Sequence, residues 1–111
     1  MKHNLEYTDE AKSDLKALDG SQAKQVRKLI DKVSENPLPK SEGGYGSPLG
    51  NKGGRNLTGL CRIRLLKLGI RVVYKLIRDG DIMKIVVIAA RADDEVYEIA
   101  MRRNEQGEDS E

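Results

Sequence analysis

A chain of 111 residues, 38% apolar and 34% charged, suits one small domain with a modest core. That core must be aliphatic, because the chain has no Trp, no Phe and only four Tyr. The longest uncharged apolar run, residues 85–90, is far short of the ~20 residues a membrane span needs. The lone Cys61 excludes an internal disulfide and any multi-cysteine zinc site.

Leu5 and Tyr7 alternate with polar neighbours and predict a first strand of about five residues. Thr8 before Asp9 and Glu10 is a hydroxyl N-cap followed by acids in the first turn. Ala11, Leu15 and Leu18 then form one apolar stripe of a short helix, which Asp19-Gly20 ends. Ser21 is placed to cap a second helix carrying Val26, Leu29, Ile30 and Val33 on its inner face. Asn36-Pro37 stops it, since the residue before proline is pushed out of the helical region. Six glycines and three prolines in residues 37–56 predict a loop, long enough to be functional or mobile. It lacks the glycine–lysine order of a phosphate-binding P-loop.

From Leu57 the period becomes two: Cys61, Ile63 and Leu65 alternate with Arg62 and Arg64. Lys67-Leu68-Gly69 predicts a turn, residues 70–78 a second strand, and Asp79-Gly80 a hairpin. Residues 82–91 are a third strand, apolar on both faces. Asp93-Asp94 open a short final helix with Val96, Ile99 and Ala100 inward. Residues 104–111 hold four acids and no apolar side chain, which predicts a disordered tail. The expected domain spans residues 1–103. It is an α+β layer fold: an N-terminal strand and helical hairpin packed on an antiparallel sheet, with the other sheet face open.

Charge is distributed in blocks. Residues 1–51 carry eight basic and eight acidic side chains; residues 52–91 carry ten basic and two acidic, a net +8; residues 92–111 carry two basic and eight acidic. The basic block is the footprint of a polyanion binder, or else a solvated face without a partner. Strand spacing narrows the choice. Arg62 and Arg64, two apart, share a face; Arg71 lies within cross-strand reach; Arg91 ends the third strand; Tyr97 follows in the next helix. Such a set repels itself unless an anion arrives. Guanidinium binds phosphate bidentately and a Tyr ring offers a base a stacking surface, so RNA is the candidate ligand. The alternative is that each arginine makes an ordinary salt bridge and Tyr97 belongs to the core. Cys61 alternates onto the apolar face and reads as a buried hydrophobe, not a nucleophile.

The stretch Cys-Arg-Ile-Arg-Leu-Leu-Lys-Leu-Gly-Ile-Arg-Val-Val-Tyr that ends at Tyr74, continued by Ala89-Ala90-Arg91 and Asp94-Glu95-Val96-Tyr97, resembles the RelE/ParE superfamily of type II toxin–antitoxin toxins. It is most similar to the RelE branch, the ribosome-dependent mRNA interferases. The resemblance covers about residues 3–103. It implies a RelE-like (microbial ribonuclease-like) fold and a cytoplasmic endoribonuclease, needing no cofactor, that cuts mRNA in the ribosomal A site. Attack by the ribose 2′-OH on the adjacent phosphate would be the reaction.

By position, the resemblance makes Arg62 and Arg64 two basic active-site residues, which are lysines in well-known RelE members. It makes Arg71 the arginine that stabilises charge on the scissile phosphate, Arg91 a further catalytic arginine, and Tyr97 the tyrosine that stacks on or orients the nucleotide. Lys67 and Lys75 are candidate RNA-binding anchors or ordinary surface lysines. The implied partners are a cognate antitoxin, the ribosome with its mRNA, and operator DNA only through the antitoxin complex. A guanidinium with pKa above ~12 is a poor general base at pH 7, and the only histidine, His3, lies outside the motif. Two alternatives stay open: a ParE-like toxin that inhibits DNA gyrase without nuclease activity, and a degenerate member that only binds antitoxin.

Overall fold

In the computed structural model, which describes residues 2–109, β1 (Asn4–Tyr7) leads into α1 (Asp9–Lys16). Thr8 caps that helix as its sequence predicts, its hydroxyl accepting from the Ala11 N–H at 3.0 Å. The next helix, α2 (Gly20–Val33), is capped by Asp19 rather than Ser21: the Asp19 carboxylate accepts from the Gln22 N–H at 2.8 Å. Both residues are good caps. Choosing Asp19 brings Gly20 and Ser21 into the helix and leaves a connection of only three residues, 17–19.

The glycine- and proline-rich segment 37–56 is not the open loop its composition predicts. It holds a 3₁₀ turn at Lys40–Glu42, the strand β2 (Ser47–Lys52), and the start of β3 (Arg55–Leu65). Gly53 and Gly54, at φ of +57° and +79°, make the tight hairpin between the two strands, where positive φ at both positions suits glycine. Pro48 is tolerated because β2 is an edge strand that pairs with β3 alone. The preceding turn is pinned by its own backbone: Lys40 donates to Gly46 at 2.8 Å, Gly46 to Leu38 at 3.1 Å, and Tyr45 to Asn36 at 3.1 Å.

After the turn at Leu66–Leu68 come β4 (Ile70–Ile77) and β5 (Ile82–Ala89), then α3 (Asp93–Asp109). The sheet order is β1-β5-β4-β3-β2. The meander β2–β5 is antiparallel, but β1 pairs parallel with β5, Leu5 opposite Met83. The sheet is therefore mixed, not wholly antiparallel. The extra parallel strand covers part of what would otherwise be an open β5 edge.

Two cores form, one on each face. Ala11, Leu15, Val26, Ile30 and Val33 of the hairpin pack on Cys61, Ile63, Val72, Tyr74, Met83 and Ile85. On the other face Val96, Tyr97 and Ala100 of α3 pack on Leu49, Leu57, Leu60, Val73 and Val87. The face expected to be open is thus partly covered by α3. Burial of each of these Leu, Ile and Val side chains contributes about 1.5–3 kcal/mol, which is reason enough for the third helix to dock.

Tyr74 is fully buried in the first core, and its hydroxyl donates to the Pro37 carbonyl at 2.6 Å. Burial pushes this phenol far above its ordinary value of 10.0. Because the folded-state value is the raised one, the stabilisation is complete below pH 10. It is lost as pH climbs further and the unfolded chain's tyrosine ionises. Tyr74→Phe is expected to cost about 1 kcal/mol at pH 7 and to flatten the alkaline loss, as urea unfolding at pH 7 and again above the ordinary tyrosine value of 10.0 would show.

Past Tyr7 the outer edge of β5 has no strand partner among the described residues, and a salt bridge covers it instead. Arg103 of α3 donates to Asp14 of α1 at 2.7 and 3.2 Å and to the Val86 carbonyl at 2.9 Å, while Asp14 accepts from the Ile88 N–H at 3.0 Å. Arg103→Ala strips one partner from a mostly buried carboxylate and one donor from a strand carbonyl. It is expected to lower stability by about 2 kcal/mol, read as a shift in the urea midpoint. Helix α3 itself runs on to Asp109, past the Arg103 boundary expected for the folded domain. Extending a helix already nucleated by packing costs less than starting one. Residues 110 and 111 of the expected disordered tail lie outside the described residues.

Candidate functional site

The β3–β4 register places Arg64 directly opposite Arg71, and Arg62 opposite Val73. Alternation therefore sends Arg62, Arg64 and Arg71 to the α3 face, the side of Leu60 and Val73, while Cys61, Ile63 and Val72 face the hairpin. Like charges directly opposite across a sheet repel, so the arrangement needs a counter-anion. The short link after Ala89 brings the first turn of α3 over this end of the sheet and supplies one.

Asp93 is that carboxylate. Its Oδ1 accepts from Arg71 Nε, and its Oδ2 lies 3.5 Å from an Arg62 terminal nitrogen. Arg71 also donates to the carbonyls of Arg91 at 2.5 Å and Gly69 at 3.5 Å. Arg62 donates to the Tyr97 hydroxyl at 2.5 Å, while its buried Nε has no hydrogen-bond partner among the described residues. Arg91, exposed, pairs with Glu95 at 3.2 Å. Arg64 is exposed and is engaged by no carboxylate among the described residues. Four guanidiniums thus meet two carboxylates, Asp93 and Glu95, and the cluster keeps two positive charges in excess.

The structure brings together Arg62, Arg64, Arg71 and Tyr97, with Arg91 joined through its backbone and its i,i+4 pair. Tyr97 does not sit as a stacking platform. Its ring is 5% exposed within the second core, so what it presents to the arginines is the hydroxyl. Lys67 is exposed in the β3–β4 turn. Lys75 lies four residues along β4 from Arg71, opposite Leu60 and Lys84, roughly 13 Å away at strand spacing and outside the cluster. Cys61 is buried in the first core, where burial pushes its thiol up, so it is no nucleophile. His3 pairs with Asp81 at 3.9 Å, near the start of β5, at the opposite end of the sheet from Arg91.

The carboxylates are what the sequence reading missed. Asp93 and Glu95 stand in the first turn of α3, where acids serve the helix dipole, yet they and Glu98 each meet an arginine of the basic block. Arg55 donates to Glu98 at 2.7 Å. The signal lay in the charge blocks: a basic meander followed at once by an acidic helix is an intramolecular complement as well as a footprint for a partner. A further groove of about 360 Å³ borders the cluster, lined by Lys32, Lys40, Tyr45, Arg62, Arg64 and Leu66 among others, with no carboxylate in its wall among the described residues. Among the described residues no group of three His, Cys, Asp or Glu side chains could hold a metal ion, and no helix is long and apolar enough to cross a membrane.

The fold, a sheet flanked by a helical hairpin and one late helix, and the family comparison together place the chain among the small toxins of the RelE/ParE superfamily. Residues 5–95 match the model of the ParE toxin of type II toxin–antitoxin systems, and the chain belongs to that family. No curated protein matches it in sequence. Among solved structures, an arginine-to-alanine double mutant of the E. coli toxin RelE in the free state superposes with a TM-score of 0.71 at 21% identity, covering 93% of this chain and 98% of that one. The RelBE2 toxin–antitoxin complex of Mycobacterium tuberculosis gives 0.65 at 22% identity, over 82% of this chain and 100% of the other. The intact E. coli RelBE toxin–antitoxin complex gives 0.61 at 19%, over 81% and 98%. The fold is that of RelE.

Proposed function

We propose that this toxin is an endoribonuclease that cuts mRNA in the ribosomal A site and so stops translation. The observation that carries the reading is the convergence of Arg62, Arg64 and Arg71 on one end of the sheet with positive charge to spare. In the reaction the ribose 2′-oxygen bonds to phosphorus as the bond from phosphorus to the 5′-oxygen breaks. The products are a 2′,3′-cyclic phosphate and a free 5′-hydroxyl. Arg71 and Arg64 stabilise the charge that builds on the phosphorane oxygens, the largest contribution such a site can make. Arg62, tethered to the Tyr97 hydroxyl, orients the strand. Arginine supplies no base at pH 7, so the ribosome–mRNA complex accepts the 2′-hydroxyl proton, and the leaving 5′-oxygen takes a proton from solvent.

The partner that holds the toxin silent is a cognate antitoxin, as in the RelBE and RelBE2 complexes of its structural relatives. Its site of action is the cytoplasm, where ribosomes are. A second reading, a gyrase inhibitor without nuclease activity, is favoured by two observations: Asp93 already neutralises part of the arginine cluster, and the matching family is ParE. Inducing the chain in cells and following labelled methionine and thymidine separates the two. Loss of methionine incorporation within minutes, with DNA synthesis sustained, is the expected result; DNA synthesis failing first selects the gyrase reading.

A further inference from the structure

Asp93 does more than offset repulsion between strands. Its two oxygens face the Nε of Arg71 and a terminal nitrogen of Arg62, the kind of forked donor set that guanidiniums offer a phosphate. One terminal nitrogen of Arg71 is spent on the carbonyls of Arg91 and Gly69, so a phosphate that takes the forked edge containing Nε must displace Asp93 from it. The carboxylate is not needed where it is for the helix. The Ala92 carbonyl accepts the first helical bond from Val96, and Asp94 and Glu95 remain to meet the helix dipole.

We infer that Asp93 sets the specificity of the arginine cluster for RNA that something else already holds in place. As part of the same chain, the carboxylate competes at high effective concentration. A phosphodiester on free single-stranded RNA, with one charge and no other anchor, loses that competition. A strand fixed by the ribosome pays little further entropy and displaces it. Arg64, engaged by no carboxylate among the described residues, gives the incoming phosphate its first contact; Asp93 then yields Arg71. The inference rests on the reading of the cluster as a phosphate site, and deepens it by naming the residue that rejects free substrate.

The test is binding of a single-stranded RNA oligonucleotide, 2′-O-methylated throughout so that it cannot be cut, to the whole chain and to Asp93→Asn. Fluorescence anisotropy over a series of salt concentrations gives both affinity and its salt slope. The asparagine variant is expected to bind about tenfold more tightly, with the slope of log K against log salt steeper by about one, because one more phosphate is engaged. Asp93→Glu keeps a carboxylate on a longer arm and is expected to stay within about twofold of the parent. Thermal unfolding confirms that each variant is folded, and Asp93→Ser makes the same comparison if the asparagine variant is not. Equal or weaker binding by a folded Asp93→Asn overturns the inference while leaving an RNA site standing. No binding by either chain at low salt overturns the phosphate reading itself.

Discussion

Arg71→Ala is expected to slow mRNA cleavage by about 10²–10³-fold, the usual consequence of removing one preorganised donor from developing charge. Arg71 is the member of the cluster with most structural commitment: it bonds Asp93 and the carbonyls of Arg91 and Gly69, which aim its guanidinium before substrate arrives. Arg71→Lys is expected to restore only part of the loss, because an ammonium cannot span the same contacts as a planar fork. Stability should fall by only about 1–2 kcal/mol, so the assay belongs well below the unfolding midpoint. Both Arg71→Ala and Arg91→Ala should abolish growth arrest; the Arg91 side chain is exposed and, among the described residues, tied only to Glu95, so its folding cost is smaller. Antitoxin pull-down of both variants at parental levels would separate a lost site from a lost fold. Retained toxicity in both would remove these arginines from the site.

Gly44→Ala is expected to be the most destabilising small substitution in the chain, at about 3 kcal/mol or more. A Cβ there would lie 2.0 Å from the Leu38 carbonyl oxygen and 2.6 Å from its carbon. Backbone cannot swing aside as a side chain can. Both walls of the turn are fixed, by Gly44 to Pro39 at 3.1 Å, by Gly46 to Leu38, and by the buried Tyr74 hydroxyl on Pro37. The same turn carries Lys40 and Tyr45 into the groove beside Arg62 and Arg64, so its distortion reaches the site. Urea unfolding measures the loss; a change below about 0.5 kcal/mol, the range of an ordinary surface substitution, would mean that the turn is looser than its hydrogen bonds imply.

The elements with a clear period were legible in the sequence: both hairpin helices, the Thr8 cap, the turn before Gly69, and the three long strands including a buried β5. Each has a local cause, so no distant residue was needed to read it. What escaped was decided by distant partners. Strand β2 hides among glycines and prolines because an edge strand owes its place to β3 rather than to its own composition. The parallel pairing of β1 with β5 joins residues nearly eighty apart, and no local pattern marks it. The docking of α3 on the second face follows from apolar positions on β3 to β5 whose partner no local pattern marks. For the site, spacing put Arg62, Arg64 and Arg71 on one face, and the register agrees. The sequence leaves Tyr97 between a stacking surface and the core, and it does not show the grip of Asp93, because both depend on how α3 lies over the sheet.

The central claim is that this arginine cluster acts on RNA within the ribosome. The direct measurement adds the purified chain to translating ribosomes and maps the 5′ ends of the mRNA. Discrete cuts at the A-site codon, each leaving a 5′-hydroxyl and vanishing with Arg71→Ala, are the predicted result. Intact mRNA, with double-strand breaks in DNA appearing only when gyrase is present, would contradict it.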